Sequence, residues 1–275
     1  MKVVLFCGGL GMRMRDYSEE VPKPMIKVGY RPVLWNIMKY YAHFGHKDFI
    51  LCLGHKGDFI KRYFVEYEEY TSNNFVLNNG NREIKLLNSD LDDWNITFVD
   101  TGMTSNVGQR LMKVRPYLEG EEMFLANYAD GLTDMPLNMM IDQFEKSGKT
   151  GGFLAYQPTQ SFHVVHLRDN GKVDSINPIS KSGLFINAGY FVLRKEIFDY
   201  MEYGEELVVE PFQRLIKDSK LYGHQYEGFW MPLDTFKDKQ QIDDMYVEGI
   251  TPWQVWDQSE AEMTAKSVQN GAEKI

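Results

Sequence analysis

Residues suited to phosphate chemistry crowd the start of the chain: Gly8, Gly9 and Gly11, then Arg13, then Lys23 between Pro22 and Pro24. Glycines let the main chain approach an anion without a Cβ in the way. Successive N–H groups then aim at its oxygens, helped by any helix that begins there. Arg13 and Lys23 add positive charge, and the flanking prolines hold Lys23 in an extended stretch. Two carboxylates stand far downstream: Asp130 follows the apolar run from Glu122 to Tyr128, and Asp234 follows Pro232. At the tip of a central strand beside a phosphate loop, Asp130 is placed to hold Mg2+. That ion takes one or two carboxylates and completes its shell with phosphate oxygens and water. Read singly, Asp130-Gly131 is a turn and Asp234 a helix N-cap.

The glycine cluster is not a dinucleotide fingerprint, which needs glycine where Met14 stands, nor a P-loop, which needs Gly-Lys-Ser/Thr where the chain has Arg13 and Met14. Its position still depends on the elements around it. Lys2 to Phe6 is an apolar strand that empties into the loop. Arg31 to Phe44 has helical spacing, Asp48 to Leu53 is a buried strand, and Lys56 to Glu69 returns to helical spacing. Strand, helix, strand, helix in that order demands a parallel sheet, with ligands beyond the carboxyl ends of its strands. Asn95 to Val99 and Glu122 to Tyr128 continue the sheet, and Leu137 to Phe144 is a helix with a core-facing stripe. Residues 71–93 are polar, asparagine-rich and weakly periodic, an excursion on the surface. After Gly151 the pattern turns to short strands. Asp169-Asn170-Gly171 forms a hairpin turn, a longer strand runs from Leu184 to Leu193, and helices begin at Glu210 and Thr235. A glycine inside a strand, as at Gly189, signals close approach by a ligand or another backbone.

Gly8-Gly9-Leu10-Gly11-Met12-Arg13 followed by Pro22-Lys23-Pro24-Met25 resembles the signature of the sugar-1-phosphate nucleotidylyltransferases. Trp94 to Gly102, Tyr128 to Gly131, Phe229 to Asp238 and Pro252 to Trp256 are similar to the glucose-1-phosphate cytidylyltransferase branch. The resemblance implies an α/β fold: a Rossmann-like, open, mostly parallel mixed sheet flanked by helices, with a small β-rich acceptor-side region, of GT-A-like nucleotidyltransferase type. One domain spans 1–256, with a nucleotide-binding half at 1–150 and an acceptor-binding half at 151–256. The resemblance further implies CTP and a phosphorylated small-molecule acceptor as substrates, Mg2+ on Asp130 and Asp234, and Arg13 and Lys23 as catalytic cations. It assigns Phe6, Gly8, Gly9, Gly11, Met12, Arg13, Gly108, Arg110 and Tyr128 to the nucleotide. Asn187, Gly189 and Glu210 fall to the acceptor, and a homo-oligomer is expected.

The acceptor half departs from the family. Its Glu-Lys-Pro aligns with Pro178-Ile179-Ser180, leaving Lys181 as a displaced phosphate anchor. His163 stands where a small glycine follows Phe162 and would crowd a hexose ring, and Met12 replaces the loop threonine. A charged anchor cannot become isoleucine unless the charge moves elsewhere. A different phosphorylated or phosphonate acceptor is therefore the alternative, and a catalytically silent nucleotide-binding homologue is the third reading. His163 and His166 lie on opposite faces of a strand, which argues against a shared metal.

A formal charge of -9 argues against general affinity for nucleic acid or anionic membrane. Cys7 and Cys52 lack metal-site spacing, and with no leader or long apolar span the expected location is the cytoplasm. Residues 257–275 are polar and aperiodic and are expected to form a disordered tail.

Overall fold

The computed structural model describes residues 1–9, 21–71, 73–80, 83–89, 91, 93–159 and 162–257. Gly11, Met12, Arg13 and the expected tail beyond Asp257 lie outside the described residues. Among the described residues seven strands form the main sheet: β1 (Lys2–Phe6), β2 (Asp48–Leu53), β3 (Asn95–Asp100), β4 (Met123–Asn127), β5 (Gly151–Tyr156), β6 (Ile186–Arg194) and β7 (Leu221–Tyr226). Across the sheet they run β7-β5-β6-β4-β1-β2-β3. All pairings are parallel except the two made by β6.

Among the described residues six α-helices accompany the sheet: α1 (Val33–His43), α2 (Gly57–Val65), α3 (Val107–Val114), α4 (Leu137–Ser147), α5 (Glu210–Lys217) and α6 (Phe236–Val247). The sheet divides two apolar cores. Val3 and Leu5 of the first strand, with Cys7 just past its end, pack with α1 and α4 on one side. Val4 and Phe6 pack with α3 and α5 on the other. That double burial is why Lys2 to Phe6 reads as a continuous apolar run rather than an alternating one.

Several boundaries differ from the sequence expectation. Helix α1 starts at Val33 rather than Arg31, because a residue before proline is pushed to extended backbone. Arg31–Pro32 pairs instead with Lys27–Val28. Helix α2 stops at Val65, well short of Glu69. Only its Ile60 is fully buried, so little packing sustains a longer helix. The polar excursion contains a hairpin, Phe75–Asn78 against Glu83–Leu86, with mostly exposed side chains.

Strand direction fixes where a site can form. Strands β1 and β4 run parallel, and the chain moves outward to β2 and β3 on one side of β1 and to β4 and β6 on the other. The carboxyl end of β1, where Gly8 and Gly9 follow, is therefore a topological switch point, the usual place for a ligand in such sheets. The end of β5 and the start of antiparallel β6 reach the same edge. Between them rises an exposed ribbon, His163–Leu167 against Val173–Pro178, turning at Gly171 with φ 79°.

Candidate active site

The two downstream carboxylates meet through a small antiparallel pairing. Gly131–Thr133 lies against Trp230–Pro232, with Gly131 opposite Pro232. Leu233 donates its N–H to the Asp130 carbonyl at 2.8 Å, extending the pairing by one position, so that Asp130 and Asp234 lie one residue out of register at the same end of the pair. Tyr190 Oη donates to the Gly131 carbonyl at 2.7 Å, and Trp230 Nε1 donates to the Ala188 carbonyl at 2.9 Å, tying this pair to β6. The backbone entering Asp130 is strained: Ala129 is fully buried at φ 61°, a conformation that costs a non-glycine residue about 1 kcal/mol or more. The Asn127 side chain compensates locally by accepting the Ala129 N–H at 2.6 Å.

Asp234 is not the N-cap that its isolated sequence context suggests. Thr235 caps α6, accepting the Asp238 N–H, while the Asp238 carboxylate accepts the N–H groups of Thr235 at 2.7 Å and Asp234 at 3.1 Å. The Thr235-x-x-Asp238 spacing of a capping box is visible in the sequence and could have identified the cap. With the cap supplied by Thr235, the Asp234 carboxylate points elsewhere.

It points at Lys23. The Lys23 ammonium lies 2.7 Å from Asp130 Oδ2 and 2.5 Å from Asp234 Oδ1, joining three segments that are remote in sequence. Burial pushes the Lys23 pKa down, but the two carboxylates outweigh it and the net shift is upward. The ammonium is therefore charged throughout the neutral range. Both aspartates keep partial exposure, so the carboxylates remain reachable from solvent. Asp130 also lies within electrostatic reach of Cys7, the residue before Gly8, which brings the cluster to the glycine loop. Two carboxylates open to solvent beside a phosphate loop suit a hard cation with oxygen ligands. Among the described residues no third His, Cys, Asp or Glu joins them, and such a cation would draw its other ligands from phosphate and water.

The residues assigned to the nucleotide occupy different layers. Gly9 is open on its side-chain side among the described residues: a Cβ there would meet none of them within 4 Å. Gly8 is enclosed by the Arg110 guanidinium, which is buried beneath the loop. Gly108, in the first turn of α3, is kept small by the Glu205 carbonyl, 2.2 Å from where a Cβ would stand. The Asn106–Gln109 capping box begins that helix. Phe6 is buried at the end of β1, its ring 6.4 Å from that of Tyr128, which stands half-buried just after β4.

Of the acceptor residues, Asn187 and Gly189 gather around Tyr128. Asn187 Nδ2 donates to Tyr128 Oη at 3.2 Å, and Asn187 Oδ1 accepts the Gly189 N–H at 2.9 Å. Gly189 has φ 77°, and a Cβ there would approach the Tyr128 ring to 2.5 Å. His163 is exposed on the ribbon and Lys181 on the turn that ends it. Glu210 opens α5, where its carboxylate accepts the Glu206 N–H at 3.1 Å.

This arrangement can bind an anion at the loop and a divalent cation at the aspartates, with Lys23 between the carboxylates. A family model for nucleotidyl transferases matches residues 2–246. The chain is 35% identical to glucose-1-phosphate cytidylyltransferase of Salmonella typhimurium, over 94% of this chain and all of that protein. It is 34% identical to a probable glucose-1-phosphate cytidylyltransferase of Bacillus subtilis, over 93% of this chain and all of the relative. Among solved structures, UDP-glucose pyrophosphorylase complexed with UDP-glucose superposes with a TM-score of 0.65 at 13% identity, covering 90% of this chain and 98% of the other. A putative glucose-1-phosphate thymidylyltransferase from Bacillus anthracis gives 0.64 at 14% identity, covering 89% and 94%. At such identities the structural likeness speaks for the fold alone, whereas the full-length sequence matches speak for descent: the chain belongs to the nucleotidyl transferase family.

Proposed function

We propose that the protein transfers a cytidylyl group from CTP to a sugar 1-phosphate resembling glucose 1-phosphate, releasing pyrophosphate. The observation that carries this reading is the Lys23 ammonium between Asp130 and Asp234 at the carboxyl edge of β1 and β4. The full-length likeness to glucose-1-phosphate cytidylyltransferases supports the choice of substrates.

Nucleotidyl transfer asks little covalent help of a protein; alignment and charge neutralisation do most of it. An oxygen of the acceptor phosphate attacks the α-phosphorus of CTP, and pyrophosphate leaves in line. Amides of the loop at Gly8, Gly9 and Gly11 hold phosphate oxygens, Arg13 draws charge from the leaving group, and Lys23 stabilises the crowded phosphorus. Mg2+, held by Asp130 and Asp234, would neutralise charge on the reacting phosphates. Tyr128 faces the nucleotide, Asn187 and Gly189 beside it shape the acceptor side, and His163, Lys181 and Glu210 complete that side. The working unit in this reading is a homo-oligomer in the cytoplasm. Among the described residues no helix is long and apolar enough to cross a membrane.

The test is pyrophosphate release across four nucleoside triphosphates and a panel of phosphorylated acceptors. Release with CTP and a hexose 1-phosphate is expected. Release confined to non-sugar phosphates or phosphonates would replace the acceptor, and no release from any pairing would reject the enzyme assignment for this chain.

A further inference from the structure

Arg110 is 3% exposed, and its guanidinium is surrounded by main chain from the ends of three neighbouring strands. Nη2 donates to the Gly8 carbonyl at 2.8 Å, just past β1. Nη1 donates to the Leu53 carbonyl at 3.2 Å at the end of β2, and to Thr101 Oγ1 at 2.7 Å and the Gly102 carbonyl at 3.0 Å just past β3. All four acceptors are neutral. The Asp100 carboxylate lies within electrostatic reach but is engaged with the Gly102 N–H at 2.9 Å. A buried guanidinium with neutral partners leaves its charge available to an anion nearby.

The same contacts explain two glycines. A Cβ on Gly8 would lie 2.0 Å from Arg110 Nη1, and one on Gly54 would lie 2.8 Å from both Nη1 and the Gly8 carbonyl oxygen. A Cβ on Gly9, in contrast, would meet none of the described residues within 4 Å. Because a trans peptide directs its C=O and N–H to opposite sides, binding the Gly8 carbonyl to the arginine turns the Gly9 N–H away from it.

We propose that Arg110 is a positioning residue of the nucleotide site: a buried cation that orients the Gly8-Gly9 peptide toward phosphate, with Gly8 kept a glycine by the arginine beneath it rather than by the ligand above. The idea rests on the loop being the triphosphate site, and it changes the meaning of the first glycine. Gly9 is open to phosphate, whereas Gly8 makes room for the guanidinium.

The test is a double-mutant cycle on the full chain with Gly8→Ala, Arg110→Ala and the pair together. Its readouts are the CTP dissociation constant with Mg2+ present, the KM for nucleotide and for acceptor, and the thermal midpoint. Each single change should weaken CTP binding by about tenfold or more, with the acceptor KM little altered. The double variant should bind CTP no worse than Arg110→Ala alone, because the alanine methyl then has space. Arg110→Lys, which retains charge but not the planar fork, should fall between wild type and Arg110→Ala; it carries the same KM comparison if the alanine variant does not fold.

Three results would overturn the proposal. In the first, Arg110→Ala or Arg110→Lys binds CTP as wild type does. In the second, Gly8→Ala costs a further tenfold or so in the Arg110→Ala background. In the third, both KM values rise together with a lowered thermal midpoint. Wild-type protein that bound no nucleotide at all would instead reject the reading of the loop, and this inference with it.

Discussion

The N–H of Leu233 donates to the carbonyl of Asp130 at 2.8 Å at the end of a short strand pair, and from this end the Asp130 and Asp234 carboxylates both reach the Lys23 ammonium. The cluster makes the first prediction. Lys23→Ala should lower kcat by about two decades or more, the usual cost of removing one charge-stabilising group from a transition state. Asp130→Asn and Asp234→Asn should each weaken Mn2+ binding, followed by the electron paramagnetic resonance of the free ion, as well as turnover. Metal affinity unchanged in both aspartate variants would remove them from the metal site.

The cap of α6 makes a second. Asp238 holds the main-chain N–H of Asp234, so Asp238→Ala should loosen the carboxylate as well as the helix. Thermal unfolding should show a loss of about 1 kcal/mol, typical of a cap. The Mg2+ concentration for half-maximal activity should rise by about tenfold, the scale seen when a group supporting a metal ligand is removed. Thr235→Ala should match the stability loss with a smaller change in metal dependence.

Gly189 gives a third. Alanine there must hold φ 77° and drive a methyl into the Tyr128 ring. Gly189→Ala should cost on the order of 2 to 3 kcal/mol of stability and raise the acceptor KM. Gly9→Ala, whose methyl meets none of the described residues, should fold as well as wild type. Chemical denaturation of the two variants side by side checks this.

A fourth concerns acid stability away from the site. His46 lies between α1 and β2, beyond the amino end of that strand, and neither ring nitrogen has a partner among the described residues. Burial, aided by the amino-terminal charge, pushes its pKa down from 6.5 to about 4. Between those values the unfolded chain takes up a proton that the folded chain refuses, so stability falls as pH drops through this window and levels off below it. The loss should be on the order of 2 kcal/mol, allowing for partial exposure. His46→Phe should flatten that part of the pH dependence when both proteins are titrated in urea at successive pH values.

The strands were legible because burial on both faces writes an uninterrupted apolar run, as in Asp48 to Leu53, whose boundaries the structure reproduces. Helix ends were less so. The proline before α1 shifts its start, and the end of α2 depends on packing that local spacing does not encode. Residue type was equally informative for chemistry: a glycine turn after a buried strand, a lysine between prolines and two downstream aspartates together suggest phosphate and metal.

What the chain alone determined was therefore its class of fold and its stock of reactive groups, since periodicity and residue chemistry are local properties. Folding decided which groups meet and which face away. The Gly131–Pro232 pairing draws together two carboxylates whose separation along the chain carries no sign of contact. The closure of three strand ends on Arg110 turns the Gly8 carbonyl inward and leaves Gly9 facing outward. Strand pairing between distant segments sets both outcomes, and one-dimensional spacing contains neither register nor direction.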